Sequence, residues 1–257
     1  MMVCRMLAVC VLWAAVGGQD AKAAAEDVLT APCWEIAPEI SVFHYEEPGV
    51  MRDNGLLYGV AGAYTRYRGD RLFRVESEFA LGTVDYDGAL MDGTPYTMEG
   101  SHDYLLNLRL LWGQQGEVEE GWERRFHGGI GYRGLNDDST QDPAGYDRQS
   151  NYLYLLLGLK TYRALAGHWQ IAFGGEFDML LLGVQLSDIY GEVITNVQWP
   201  GLGGRASAEL RCRTPSVDFA VAPFVQYWWV DDSSTTDGWY EPRNQSFQYG
   251  LSLIWRF

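Results

Sequence analysis

Ten segments of period-two hydrophobicity, connections that alternate between long and short, and aromatic residues gathered at the segment ends predict an all-β chain. The expected architecture is an up-and-down antiparallel transmembrane β-barrel of ten strands. The strands fall near 36–45, 56–67, 72–84, 103–112, 124–135, 150–162, 169–182, 205–213, 217–230 and 246–257. Successive side chains of a strand point to opposite faces, so each segment sorts its residues into two sets. Tyr104, Leu106, Leu108, Leu110 and Trp112 share a face against Asp103, Asn107 and Arg109. Phe73, Val75, Phe79 and Leu81 oppose Arg74, Glu76 and Glu78, and Ile171, Phe173, Phe177 and Met179 oppose Gly174, Glu176 and Asp178. Phe126, Ile130 and Tyr132 oppose Arg125, His127 and Arg133. The sixth segment, Tyr152–Leu159, is apolar on both faces, and its register is ambiguous. Pro223 falls inside the ninth segment, where its missing N–H calls for a bulge or a different strand boundary.

A soluble sandwich alternates in the same way, with one face to solvent and one to a shared core. Connection length separates the two. The connections 46–55, 85–102, 136–149, 183–204 and 231–245 are long, while 68–71, 113–123, 163–168 and 214–216 are shorter. A transmembrane barrel has short periplasmic turns and longer extracellular loops. With the N-terminus in the periplasm, every long connection lies outside and an even strand count returns the C-terminus to the periplasm. Trp112, Tyr162, Trp169, Trp255 and Phe257 then fall at periplasmic strand ends. Tyr45, Tyr58, Tyr86, Tyr104, Tyr132, Tyr152, Tyr227 and Tyr249 fall at extracellular ends, which gives the two aromatic belts of a membrane barrel.

Residues 1–23 carry Arg5, an apolar run from Met6 to Val16 and an Ala21-Lys22-Ala23 cleavage site, the pattern of a secretory signal cut after Ala23 or Ala25. The run is too short to span a bilayer, which needs about 20 apolar residues. A lipid anchor at Cys10 is disfavoured by Val9 before it. The expected organisation is a signal peptide over 1–23, a periplasmic segment over 24–35 and a barrel over 36–257. The processed chain carries 17 basic and 33 acidic residues. That balance excludes nucleic acid as a partner, since phosphate binding needs a basic face. Export permits a disulfide between Cys33 and Cys212, but one precedes the first strand and the other lies on a distant one, so two thiols are expected.

The last strand sets Tyr249, Leu251, Leu253, Trp255 and Phe257 on one face and Gln248, Gly250, Ser252 and Arg256 on the other. This terminus resembles the assembly signal of bacterial outer-membrane barrels, an alternating apolar strand ending in Phe. The resemblance implies delivery to the barrel-assembly machinery and lipid covering the apolar face. The stretches "YEEPGVM", "GIGYRGLNDD" and "YDRQSNYLYLLLGL" resemble a group of outer-membrane β-barrel proteins of Gram-negative bacteria. That likeness implies fold and outer-membrane location only. Arg133 and Arg148 sit in its most patterned parts and are expected to tie loop to barrel rim.

Ten strands enclose a narrow interior. Its inward set is expected to hold Arg74, Glu76, Glu78, Arg109, His127, Arg133, Glu176, Asp178, Arg205, Glu209 and Arg211 as a network of paired charges, since unpaired buried charges are costly. The network is either a polar plug or the lining of a narrow pore. Ser101, His102 and Asp103 have the residue types of a hydrolytic triad but alternate in facing, so they do not converge. Asp85 and Asp87 resemble the acidic pair of the omptins, ten-stranded outer-membrane proteases. They continue the lipid-facing parity of Phe73, however, and the omptin Asp-x-His is missing. Lipid hydrolases of this membrane use a Ser–His couple on the outer wall. His44 is the strand histidine at that level, with no assignable Ser. The loops are acidic but lack the spacing of a calcium-binding loop. No catalytic residue, metal or cofactor is assigned.

Three functions follow: a non-catalytic structural or surface-interaction protein acting through its loops, a narrow channel for small solutes, or a hydrolase of envelope lipids or peptides. The first is preferred. Expected partners are outer-membrane lipid and lipopolysaccharide, the assembly machinery and an extracellular ligand of unspecified chemistry, and the chain is expected to be monomeric.

Overall fold

Antiparallel pairing runs round the sheet and from the last strand back to the first, so the barrel wall is closed. The computed structural model describes residues 32–90, 93–116, 119–189, 191–236 and 238–257; the expected signal peptide lies outside them. The strands are β1 (Cys33–Glu47), β2 (Met51–Arg68), β3 (Arg71–Ala89), β4 (Pro95–Gln115), β5 (Trp122–Asp138), β6 (Asp147–Ala164), β7 (Trp169–Ile189), β8 (Glu192–Gln198), β9 (Gly201–Arg213), β10 (Asp218–Val230) and β11 (Asn244–Arg256). Both β8 and β9 pair with β7, one above the other, so they are two halves of one barrel strand. The break falls at Trp199-Pro200, where the proline has no N–H to give. The barrel is closed, antiparallel, up-and-down and ten-stranded.

Closure uses the chain terminus. Trp34 N donates to Phe257 O at 2.9 Å and Phe257 N donates to Trp34 O at 3.1 Å. Pairing satisfies the backbone groups that an open edge would leave bare in lipid. Tyr249, Leu251, Leu253, Trp255 and Phe257 all face outward and are exposed. Following paired residues from Trp34 through Tyr64, Val75, Leu110, Ile130, Leu155, Met179, Leu202, Trp229 and Gln245 returns to β1 at Glu46, twelve residues on. That stagger over ten strands sets a strand tilt of about 40° and a backbone radius on the order of 10 Å.

The long connections of the sequence reading are corrected. Instead of loops at 46–55, 85–102 and 183–204, the strands continue to Glu47, Ala89 and Ile189 and resume at Met51, Pro95 and Glu192. Ladder pairing persists above the membrane, but the outward residues there become polar (His44, Asn54, Arg52, Asp85, His102, Gln149), so the hydrophobic period vanishes while the strand does not. At the other end β1 begins at Cys33, inside the segment assigned to the periplasm.

Four belt tyrosines also need correction. Tyr45, Tyr152 and Tyr162 are buried in the interior, and Tyr86 packs against an interior cluster. Each has the inward parity of its strand, which a count of aromatics at strand ends ignores. Tyr58, Tyr104, Tyr227 and Tyr249 do face outward and are exposed. The sixth strand's register is resolved with Leu153, Leu155 and Leu157 in lipid and Tyr152, Tyr154 and Leu156 inside. A bulge where Leu153 pairs Leu182 and Tyr154 pairs Leu180 leaves Leu181 extra, so β7 inverts its parity there.

Pro223 sits in an unbroken strand with no bulge. The β9–β10 ladder instead skips from Val221–Leu210 to Phe224–Ser207, while the β10–β11 ladder continues through Pro223–Leu251. Pro38 does the same on the other side, where the β1–β11 ladder skips from Ile36–Trp255 to Glu39–Ser252. One gap therefore borders β11, and the other lies one strand further round, between β9 and β10. Pro38→Ala and Pro223→Ala each restore a donor facing an acceptor in the wall. Each is expected to stabilise the barrel by about 0.5–1.5 kcal/mol, the net worth of one hydrogen bond, read as a raised urea midpoint in vesicles. Unchanged or lowered midpoints would mean the gaps are already satisfied.

Candidate functional site in the barrel interior

The interior divides along the barrel axis. Its periplasmic half holds a cavity of about 240 Å³ whose lining runs from Cys33, Tyr67 and Arg211 at the strand ends to Phe224 and Arg205. Arg109 on β4 is the centre of its ion pairs. Its Nε donates to Glu76 Oε2 at 2.7 Å, and Nη1 reaches Glu176 on β7 across the lumen. His127 Nε2 lies 3.2 Å from the other Glu176 oxygen. Arg74 links Glu76 to Glu35, with Nη2 2.7 Å from Glu35 Oε2. Arg256 continues the chain, 2.9 Å from Glu35 and 2.7 Å from Glu209, and Lys160 is 2.9 Å from the second Glu209 oxygen. Arg211 pairs with Asp218, its Nε 2.6 Å from Oδ1.

Glu76 and Arg109 are direct neighbours across the β3–β4 ladder, while Glu176 belongs to a strand three further round. Two-periodicity aims all three inward, and the small radius lets one guanidinium touch both walls. Such charge-assisted pairs hold their partners in a low-dielectric interior.

Nine of the eleven candidates line this cavity: Arg74, Glu76, Glu78, Arg109, His127, Glu176, Arg205, Glu209 and Arg211. Glu78 accepts from Asn107 at 3.2 Å and lies 3.5 Å from Arg205. Arg133 and Asp178 lie outside the lining and are 1% exposed. Arg133 donates to Ser246 Oγ at 3.3 Å, and its Nε and Nη1 have no protein partner among the described residues. Glu35, Lys160, Asp218 and Arg256 were missed. The expected first strand begins after Glu35, Lys160 lies in the strand of ambiguous face and Asp218 at a strand start. Arg256 could have been found from the parity of the last strand. Cys33 and Cys212 form no disulfide. Cys33 lines the cavity and Cys212 follows the outward parity of Leu210, so the wall lies between them.

Toward the extracellular side large apolar side chains enter the lining, among buried polar ones that include Arg133, Asp178, Gln226 and Gln248. Phe43, Tyr45, Leu57, Ala80, Val84, Leu105 and Leu135 form one buried cluster. Leu111, Tyr152, Tyr154, Leu156, Leu180, Trp228 and Val230 form another. Trp228 stacks edge-on to Tyr154 at 4.9 Å. The aromatics are seated on glycines: a Cβ at Gly131 would fall 2.1 Å from the Tyr154 ring, and one at Gly203 would fall 2.7 Å from Trp228.

Above the apolar band, Arg148 stands among carboxylates from four elements. It pairs with Glu47 and lies 3.1 Å from Asp137, 3.5 Å from Glu241 and 3.8 Å from Asp53. The sequence reading expects Arg133 and Arg148 to tie loop to rim, and counts Arg133 in the inward set as well. Arg148 is there, and Arg133 is inside. Burial, with Asp137 nearby, pushes the Asp53 carboxyl up to about 8. Burial likewise pushes Glu241 up to about 8, with Arg148 opposing and Glu47 adding to the rise. Glu241 belongs to the β10–β11 connection, which Gln198 also holds by donating to the Asp231 and Pro242 carbonyls at 3.3 Å.

The other chemical candidates do not converge. Ser101 and Asp103 are buried inside, whereas His102 is exposed and bonds Gln141 at 2.7 Å. Asp85 and Asp87 are exposed on the outer wall, where Asp85 accepts from Gly100 N at 3.0 Å and Asp87 pairs with Arg52. His44 bonds Asn54 and lies 3.9 Å from Glu46.

No protein-family model matches the chain, and no curated protein matches it in sequence. Solved structures do match. The outer membrane protease OmpT from Escherichia coli superposes with a TM-score of 0.57 at 10% identity, covering 88% of this chain and 96% of OmpT. OprG from Pseudomonas aeruginosa gives 0.41 at 9% identity over 89% and 96%. Neisserial surface protein A gives 0.38 at 8% identity over 87% and 97%. At these identities the likeness is one of fold, and the fold is that of the Gram-negative outer-membrane β-barrels.

Proposed function

We propose that this protein is a non-catalytic, monomeric barrel of the outer membrane with a closed interior, acting as a structural or surface-interaction protein through its acidic extracellular side. The observation that carries the reading is the stacking of Phe43, Leu57, Leu105, Tyr152, Leu180 and Trp228, all buried, between the charged cavity and the Arg148 cluster. Large buried side chains at this level support a closed interior, and a barrel without a water-filled path acts through its outer surface. The separation of Ser101 and Asp103 from His102 supports a role without catalysis. Contact with lipid and lipopolysaccharide is supported by the outward apolar band. Closure of the wall by the β1–β11 pairing supports the monomer.

A second reading, a narrow gated channel, draws support from the mixed charges lining the periplasmic cavity. Vesicle swelling separates the two. Vesicles carrying the folded protein are expected to shrink in glycine or arabinose and not recover, as protein-free vesicles do. Recovery at a rate proportional to protein content would favour the channel.

A further inference from the structure

The chain is strongly acidic overall, yet the β2–β3 hairpin end on its periplasmic rim is basic, beside a β4–β5 turn that carries exposed Glu119 and Glu120. Arg66, Arg68 and Arg71 lie on one hairpin end, Arg66 opposite Phe73 and Arg68 opposite Arg71 across the Gly69-Asp70 turn. All three are exposed, and none makes an ion pair with a described residue. The one acid in their turn is engaged elsewhere: Asp70 accepts from Gln114 Nε2 at 2.7 Å. Arg163 joins the same edge, lying over Trp122 at 5.5 Å.

Depth gives this grouping its meaning. Arg66 lies one outward position beyond Tyr64, and Phe73 and Trp112 pack at 5.7 Å beside it. Aromatic rings mark the membrane interface, so the guanidinium groups stand at the level of the lipid phosphates on the periplasmic side. The extracellular rim differs. There the outward Arg52 is paired with Asp87 and is surrounded by acidic loops.

We propose that the Arg66–Arg68–Arg71 hairpin end is a docking surface for anionic glycerophospholipid headgroups of the periplasmic leaflet. Guanidinium groups give phosphate two parallel hydrogen bonds, and each basic residue at a membrane surface adds attraction to anionic lipid. The Phe73 and Trp112 rings pack the upper acyl chains beneath the phosphate. The barrel then has two unlike ends: acidic loops outside, and on the periplasmic side one basic hairpin end that selects its lipid neighbours.

The test is electron spin resonance of the full folded chain in phosphatidylcholine bilayers containing spin-labelled phosphatidylglycerol or spin-labelled phosphatidylcholine. The motionally restricted fraction should favour phosphatidylglycerol by about three- to tenfold at low salt. The preference should fall in 0.5 M NaCl. Arg66→Gln/Arg68→Gln/Arg71→Gln should bring the two lipids within a factor of about two. Lysine at all three positions should restore most of the preference, and Arg52→Gln should leave it unchanged. Equal restriction of both lipids by the wild-type chain would overturn the proposal. So would a preference that survives the triple Gln variant while its gel mobility shows a folded barrel. Binding to purified peptidoglycan sacculi through the same three residues, without any phosphatidylglycerol preference, would also overturn it.

Discussion

Arg109→Met is expected to lower the stability of the folded barrel by about 3–5 kcal/mol, the cost of leaving buried carboxylates without their cation. Methionine keeps most of the stem's volume, so the loss reports charge rather than packing. Glu76 and Glu176 have side chains 19% and 7% exposed, too little for water to replace a guanidinium. Urea unfolding in vesicles, followed by tryptophan fluorescence, measures the change. Adding Glu176→Gln to Arg109→Met should recover part of it, because the second substitution removes a charge the first stranded. Glu76→Gln should cost more than Glu78→Gln, since Glu76 binds two arginines while Glu78 meets Asn107 and, at 3.5 Å, Arg205. Equal midpoints for wild type and Arg109→Met would mean the network adds nothing to the fold.

Arg148→Gln is expected to release the β10–β11 connection from the mouth. It removes the cation shared by Glu47, Asp53, Asp137 and Glu241, and burying those four together without it is unfavourable. Amide exchange at 231–243 should speed up by roughly a hundredfold or more, as loss of about 3 kcal/mol of latch energy implies. Exchange around Arg109 should stay near wild type. A related pH effect follows. Asp53 and Glu241 hold their protons up to about 8 when the latch is closed, against ordinary values of 3.8 and 4.5. Between those limits the closed state binds more protons than the open one, so closing weakens as pH rises from about 4 towards 8. Protection at 231–243 should therefore decline across that interval in wild type. Protection that increased with pH would contradict the assignment of raised carboxyls.

The wall was legible in the sequence because lipid and lumen impose opposite chemistry on alternate residues. Leu106, Leu108 and Leu110 against Asn107 and Arg109 could be read at once, and so could the closing strand. Where both faces are apolar, as from Tyr152 to Leu159, alternation loses its information. The inward course of Tyr152, Tyr154 and Leu156 became visible only with the register against β5 and β7. Strand extensions above the membrane were hidden for a related reason, since polar residues on both faces leave no period to detect. The candidate site was partly legible. Inward charges followed from parity, but the cross-lumen partner of each depends on the twelve-residue stagger, which brings Arg109 to Glu176 as well as to its ladder neighbour Glu76. Arg148 could be placed near the rim from its position beside a loop. Its four carboxylates come from β1, β2, β5 and the last connection, and no local spacing links them.

The closed interior is tested most directly by single-channel current through the purified, folded protein in a planar bilayer, with heat-shifted gel mobility as the folding control. The wild-type barrel is predicted to stay silent over a wide voltage range. Trp228→Ala/Tyr152→Ala, which removes two large buried rings that pack at 5.9 Å, should conduct in discrete steps. Discrete wild-type steps that change in size with Arg109→Met would contradict a closed interior and make the charged cavity part of a channel.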